Sequence, residues 1–162
     1  MDEFHQLYQK YKTPIYRYLF YMTHDTYIAE ELTQETFLQA FTSVHRFKGK
    51  SKVSTWLYQI AKHTYYNYLK KNPITEADEG HILTDQRTPE QFYEQKEERV
   101  LLLQALKKLS AQQQELIILR FYNELSFRDI GDIYKQSDTW ARVNVFRAKG
   151  KLTQMMERRD EE

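Results

Sequence analysis

Apolar residues recur at intervals of three and four through nearly every window of this 162-residue chain, and nowhere do they alternate for long as a strand would require. Only four Gly and three Pro punctuate the pattern. With 41% apolar content the chain can bury compact helical cores. The expected fold is therefore all-α: two small helical domains joined by an acidic linker. The domains span residues 1–72 and 99–157, the linker 73–98, and a short tail 158–162 follows.

Charge is segregated along this frame. Residues 43–71 hold seven Lys or Arg and no acid, although the whole chain carries a net charge of only +1. From Lys52 onward, Val53, Trp56, Leu57, Ile60, Ala61, Thr64 and Tyr68 fall on one helix face, and Lys52, Thr55, Gln59, Lys62, His63, Tyr66 and Lys70 on the other. An apolar back with a front of cations, amides and rings can hold phosphates and stack bases, or it can simply be solvated. Cations interleaved with aromatic residues favour nucleic acid. Ahead of this helix, the loop Arg46-Phe47-Lys48-Gly49-Lys50-Ser51 offers Phe47, Lys48 and Lys50 to the same ligand, with Ser51 as the expected N-cap.

The flanking segments carry other chemistry. Residues 3–23 form one amphipathic helix, or two joined at Pro14, with aromatic residues as core. Asp25 caps the next helix, over about 26–42. There Ala29, Thr33, Phe37, Ala40, Phe41 and Val44 face one side, while Glu31, Gln34, Glu35 and Leu38 form a separate stripe. Every charge between His24 and His45 is acidic, so the stripe is either a solvated face or a protein-docking surface around an exposed leucine. The linker holds eight acids and two bases and serves as a tether or as a mimic of single-stranded nucleic acid.

A second helical unit begins at Glu94. Ser110 with Gln113 makes a capping box, Ser126 with Asp129 starts a short helix ending at Tyr134, and Ser137 caps a longer one over about 138–155. A short helix, a tight turn at Lys135-Gln136 and a basic helix is a helix-turn-helix. Ala141, Val145, Ala148 and Leu152 point inward; Arg142, Val143, Phe146 and Arg147 point outward, with Lys149 nearby. Outward Val143 and Phe146 can pack on thymine methyls while an arginine reaches guanine or phosphate.

These residues carry a resemblance. Ala29-Glu30-Glu31-Leu32-Thr33-Gln34-Glu35-Thr36-Phe37, Arg46-Phe47-Lys48-Gly49 and Ser54-Thr55-Trp56-Leu57-Tyr58-Gln59-Ile60-Ala61 follow one another as in the second region of bacterial sigma factors of the extracytoplasmic-function group. Ala105-Leu106-Lys107-Lys108-Leu109, Leu119-Arg120-Phe121, Leu125-Ser126-Phe127-Arg128-Asp129-Ile130 and Arg147-Ala148-Lys149-Gly150-Lys151-Leu152 resemble their fourth region. The resemblance implies that Glu31, Gln34, Glu35 and Leu38 dock on core RNA polymerase. It implies that Phe47, Lys48, Lys50, Lys52, Trp56, Gln59, Lys62, His63 and Tyr66 melt and read promoter DNA at the minus-10 element. The minus-35 duplex would meet Arg128, Arg142, Val143, Phe146, Arg147 and Lys149. An anti-sigma factor, membrane-anchored in many such systems, is implied as a further partner. The chain departs from the family at His63, where Asn is common, at Gly131, where Ala is common, at Lys135-Gln136 in place of Gly-Ile, and at Trp140-Ala141 in place of Thr-Val.

Other classes fit less well. A stand-alone regulator with residues 1–72 as a dimerisation domain leaves the basic, aromatic helix face without a task, and a purely protein-binding adaptor leaves both basic faces so. An enzyme is not expected: the five histidines are scattered without ligand spacing, and no glycine loop could cradle a phosphate. No cofactor, metal or small-molecule substrate is implied. The absence of cysteine fits a reducing compartment, and Met1 is followed by Asp2 and Glu3 rather than a secretory leader, so a cytoplasmic protein is expected. No window approaches the roughly 18–20 apolar residues of a membrane span.

Overall fold

The computed structural model describes residues 3–47, 49, 51–73 and 93–160, and among them every regular element is helical. The first module is a three-helix bundle of α1 (Glu3–Thr23), α2 (Thr26–Ser43) and α3 (Val53–Lys71). The second packs α4 (Tyr93–Lys107), α5 (Ala111–Ile117) and α6 (Phe127–Tyr134) around the long α7 (Asp138–Asp160). Of the linker expected over 73–98, residues 74–92 lie outside the described residues and 93–98 form the first turns of α4.

Local sequence sets most of the helix ends. Asp25 accepts from the Ile28 N–H at 3.0 Å, Ser110 and Gln113 form the reciprocal capping box, and Ser126 and Ser137 accept from Asp129 and Trp140, both at 3.0 Å. Ser51 does not cap α3. That role falls to Lys52, whose side chain makes no capping bond, because the helix begins one residue later than Ser51 would require. Pro14 sits inside one continuous α1 rather than dividing it.

Core residues of the two modules belong to one connected cluster, from Ile15, Tyr18 and Leu57 in the first to Leu116, Ile118 and Ile130 in the second. This explains where periodicity misplaced side chains. Packing on α1 and α2 covers one side of α3, and packing on α6 covers another. Thr55, assigned to the open front, is consequently buried, and Tyr58 and Tyr65 join the core. Conversely, Phe41 and Val44, assigned to the inner face of α2, are exposed. The Phe41 ring lies 5.1 Å from that of Phe4 in the first turn of α1, and Val44 lies in a short 3-10 turn after α2, past the part of the bundle that α1 covers.

Candidate nucleic-acid interface

At the start of α3 the Phe47 and Trp56 rings lie 4.9 Å apart, forming an aromatic pair where loop meets helix. Gly49 in that loop has φ +72°, which a side chain adopts at a steric cost. Lys48 and Lys50 lie outside the described residues. Further along, His63 is exposed, 3.1 Å from the Asn67 amide, and Tyr66 is half-buried.

Lys52, Gln59 and Lys62 of this face are engaged by the second module. Lys52 Nζ pairs with Asp129 Oδ1 at 3.1 Å, Gln59 Nε2 donates to the Asp132 and Ile133 carbonyls at 3.2 and 3.4 Å, and Lys62 Nζ lies 4.2 Å from the Tyr134 ring centroid. Lys62 is also 3.8 Å from Glu115 Oε1. Glu115 is fully buried and accepts hydrogen bonds from the Tyr18 and Tyr134 hydroxyls. Burial raises its carboxyl pKa, while the two hydroxyls and Lys62 oppose that rise. Sequence reasoning missed Glu115. Its only signal was an acid four residues before Leu119 within an apolar stripe.

On α2, Glu31, Gln34, Glu35 and Leu38 are all exposed. Tyr27 and Phe41 extend them into an exposed row at 27, 31, 34, 38 and 41, the alternating spacing of four and three with which one helix seats on others. The Tyr27 hydroxyl bonds to Glu31, which raises the phenol pKa.

The helix-turn-helix closes at Lys135, which is left-handed at φ 58°, with the Gln136 N–H donating to the Gly131 carbonyl at 2.8 Å. A Cβ on Gly131 would stand 2.6 Å from the Ser137 carbonyl oxygen and 2.7 Å from that of Gln136, so glycine here permits this close turn. Before it Arg128, and beyond it Arg142, Val143, Phe146, Arg147 and Lys149, are exposed, Phe146 at 77%. The Phe127 ring lies 5.5 Å from the Arg142 guanidinium and 4.0 Å from that of Arg120. Lys149 reaches over Phe121 at 5.5 Å.

No group of three or more His, Asp or Glu among the described residues is placed to hold a metal ion, and no described helix is long and apolar enough to cross a membrane.

Two helical modules, one with a basic aromatic face and one with a helix-turn-helix, give the chain the form of a DNA-binding protein. Residues 7–73 match the family Sigma-70 region 2, and residues 99–152 match Sigma-70, region 4. The chain belongs to the RNA polymerase sigma factors, in their extracytoplasmic-function group, and directs promoter-specific transcription. It is 35% identical to RNA polymerase sigma factor YlaC of Bacillus subtilis, over 99% of this chain and 96% of that one. It is 31% identical to the ECF RNA polymerase sigma-E factor of Haemophilus influenzae, over 74% and 69% of the two chains. Among solved structures, the fold resembles the sigma factor RpoE from Bartonella quintana in complex with the anti-sigma factor NepR, with TM-score 0.72, 20% identity and coverage of 97% and 98%. It also resembles CnrH in complex with the cytosolic domain of CnrY, with TM-score 0.72, 17% identity and coverage of 95% and 87%.

Proposed function

We propose that this alternative sigma factor divides its work between four surfaces. The exposed α2 row of Glu31, Gln34, Glu35 and Leu38 seats on core RNA polymerase. The Phe47–Trp56 pair, with Lys48, Lys50, Lys52, Gln59, Lys62, His63 and Tyr66, separates and reads the minus-10 strand. Arg128, Arg142, Val143, Phe146, Arg147 and Lys149 read minus-35 as duplex. A fourth surface is held by an anti-sigma factor, as NepR holds RpoE of Bartonella quintana in their complex. The protein works in the cytoplasm and carries no catalytic step of its own.

The observation that carries this reading is the pairing, on one chain, of two separate cation-and-aromatic faces with an acidic, leucine-centred helix row. A basic ridge alone would support only DNA binding; the acidic row adds a protein partner. Affinity at either DNA element can be modest, because tethering both modules to one core enzyme makes the second contact effectively intramolecular. The stand-alone regulator is not favoured, since the segment it needs for dimerisation is the one that matches Sigma-70 region 2.

The test is transcription in a purified system, with bacterial core polymerase and fragmented DNA of the source genome, with and without the chain. Discrete starts that depend on the chain and share two upstream motifs at fixed spacing are expected. No new starts, with specific duplex binding persisting in the absence of polymerase, would refute the reading.

A further inference from the structure

Within the helix-turn-helix, both helices and the coil before them meet at one ring. Phe127 is the first residue of α6, where Ser126 fixes the backbone by accepting from the Asp129 N–H at 3.0 Å. Its side chain is half-buried and packs against the core of the second module. The Arg120 guanidinium lies 4.0 Å from the ring centroid and is itself tied down, its Nη1 donating to the Leu125 carbonyl at 2.9 Å. From the other helix, in the second turn of α7, the exposed Arg142 brings its guanidinium over the same ring at 5.5 Å. Among the described residues Arg142 forms no ion pair with a carboxylate, so the ring contact is what holds its charged end.

We propose that Phe127 is a positioning residue for minus-35 recognition: its ring, held by the core and by Arg120, aims the Arg142 guanidinium before DNA arrives and so sets how sharply that arginine tells base pairs apart. The inference deepens the assignment of Arg142 to the minus-35 duplex made above and rests on it. An arginine free to swing can settle on a phosphate oxygen, which carries no sequence information, as well as on a guanine edge. It also loses rotamer freedom on binding, and a contact made in advance removes part of that loss. The N-terminal residues of a recognition helix are the ones that reach base edges, and Arg142 is the fifth residue of α7. Phe127 has no polar atom with which to read a base, so its effect on discrimination passes through the arginine. A cation over a ring at a partly exposed site is a weak contact, and the expected effect is about threefold, a fraction of what the arginine itself supplies.

The test is closed-complex binding by core polymerase carrying the full chain, in competition between promoter fragments that differ at one minus-35 base pair at a time. Arg142→Ala identifies the pair that this arginine reads. At that pair Phe127→Leu is expected to lower discrimination about threefold while affinity for the mismatched fragment stays at the wild-type value. Phe127→Tyr, which keeps the ring, is expected to retain discrimination. In an Arg142→Ala background Phe127→Leu is expected to change it no further. Thermal melts check that each variant folds, with Phe127→Met in place of Phe127→Leu if the latter does not. A merely structural role would weaken matched and mismatched fragments alike, and that result overturns the proposal. So does equal loss in the Tyr and Leu variants, or a loss that persists in full without Arg142, since Phe127 would then touch DNA itself. If Arg142→Ala leaves discrimination intact at every minus-35 pair, the assignment of Arg142 fails and the positioning with it. Discrimination that Arg142→Ala removes and Phe127→Leu leaves untouched removes the positioning alone.

Discussion

His24 ends α1 in the left-handed region, at φ 58°, with both ring nitrogens buried and without a hydrogen-bond partner. Burial, and secondarily the charge of Lys107, hold its pKa at about 4 against an ordinary 6.5. The unfolded chain therefore takes up a proton that the folded chain refuses between those values. Stability from this group is complete above pH 6.5 and is lost as pH falls through 4, amounting to about 2 kcal/mol between pH 7 and 5. His24→Asn, which tolerates the left-handed backbone, should flatten that limb of the urea midpoint against pH. Glu115 bends the curve the other way. Its folded pKa is raised above the usual 4.5, so the folded chain binds the proton first and gains stability as pH falls from its folded value toward 4.5. Glu115→Gln should remove that gain, and a variant curve parallel to wild type across this range would exclude the carboxyl as its source.

The α6–α7 turn contains two residues whose replacement should have opposite signs. Gly131→Ala brings a Cβ into the backbone carbonyls of the turn and should cost about 1–3 kcal/mol, with weaker minus-35 binding. Lys135→Gly relieves a left-handed side-chain-bearing residue and should gain about 0.5 kcal/mol after its added unfolded-state entropy. Thermal melts of the two variants decide both signs. On α2, Glu31→Lys with Glu35→Lys leaves the core untouched, because both side chains are exposed. It should weaken core-polymerase binding by about tenfold or more, and unchanged retention in a pull-down would refute the docking row. Elements like these were readable because their causes are local: a serine and the amide three residues on, or leucines one turn apart. Phe41 and Val44 were misread because periodicity gives a direction and not whether another helix reaches that far.

Across the whole molecule, the two DNA faces should fail separately. Trp56→Ala should impair promoter opening more than closed-complex formation, read by permanganate reactivity of thymines, with a base-stacking loss of about 1–3 kcal/mol. Arg147→Ala should lower discrimination at minus-35 and not at minus-10, by a comparable amount, read from footprints on promoters altered in either element. Equal loss at both elements in either variant would count against the division. The sequence made each module legible and left their embrace illegible, because Lys52 with Asp129 and Tyr18 with Glu115 join residues far apart in the chain by shape and charge that no window contains. Part of that embrace depends on a single widened coil after α5. Residues Ile118–Tyr122 form a π turn, in which the Asn123 N–H reaches back five residues to the Ile118 carbonyl at 2.9 Å. Removing one residue there would restore ordinary winding and swing Tyr122 and Asn123 about 100° around the axis, away from Tyr21 and Pro14. A single-codon deletion would thus remove the contacts of Tyr122 and Asn123 with the first module while leaving those of Asp129 and Glu115 in place.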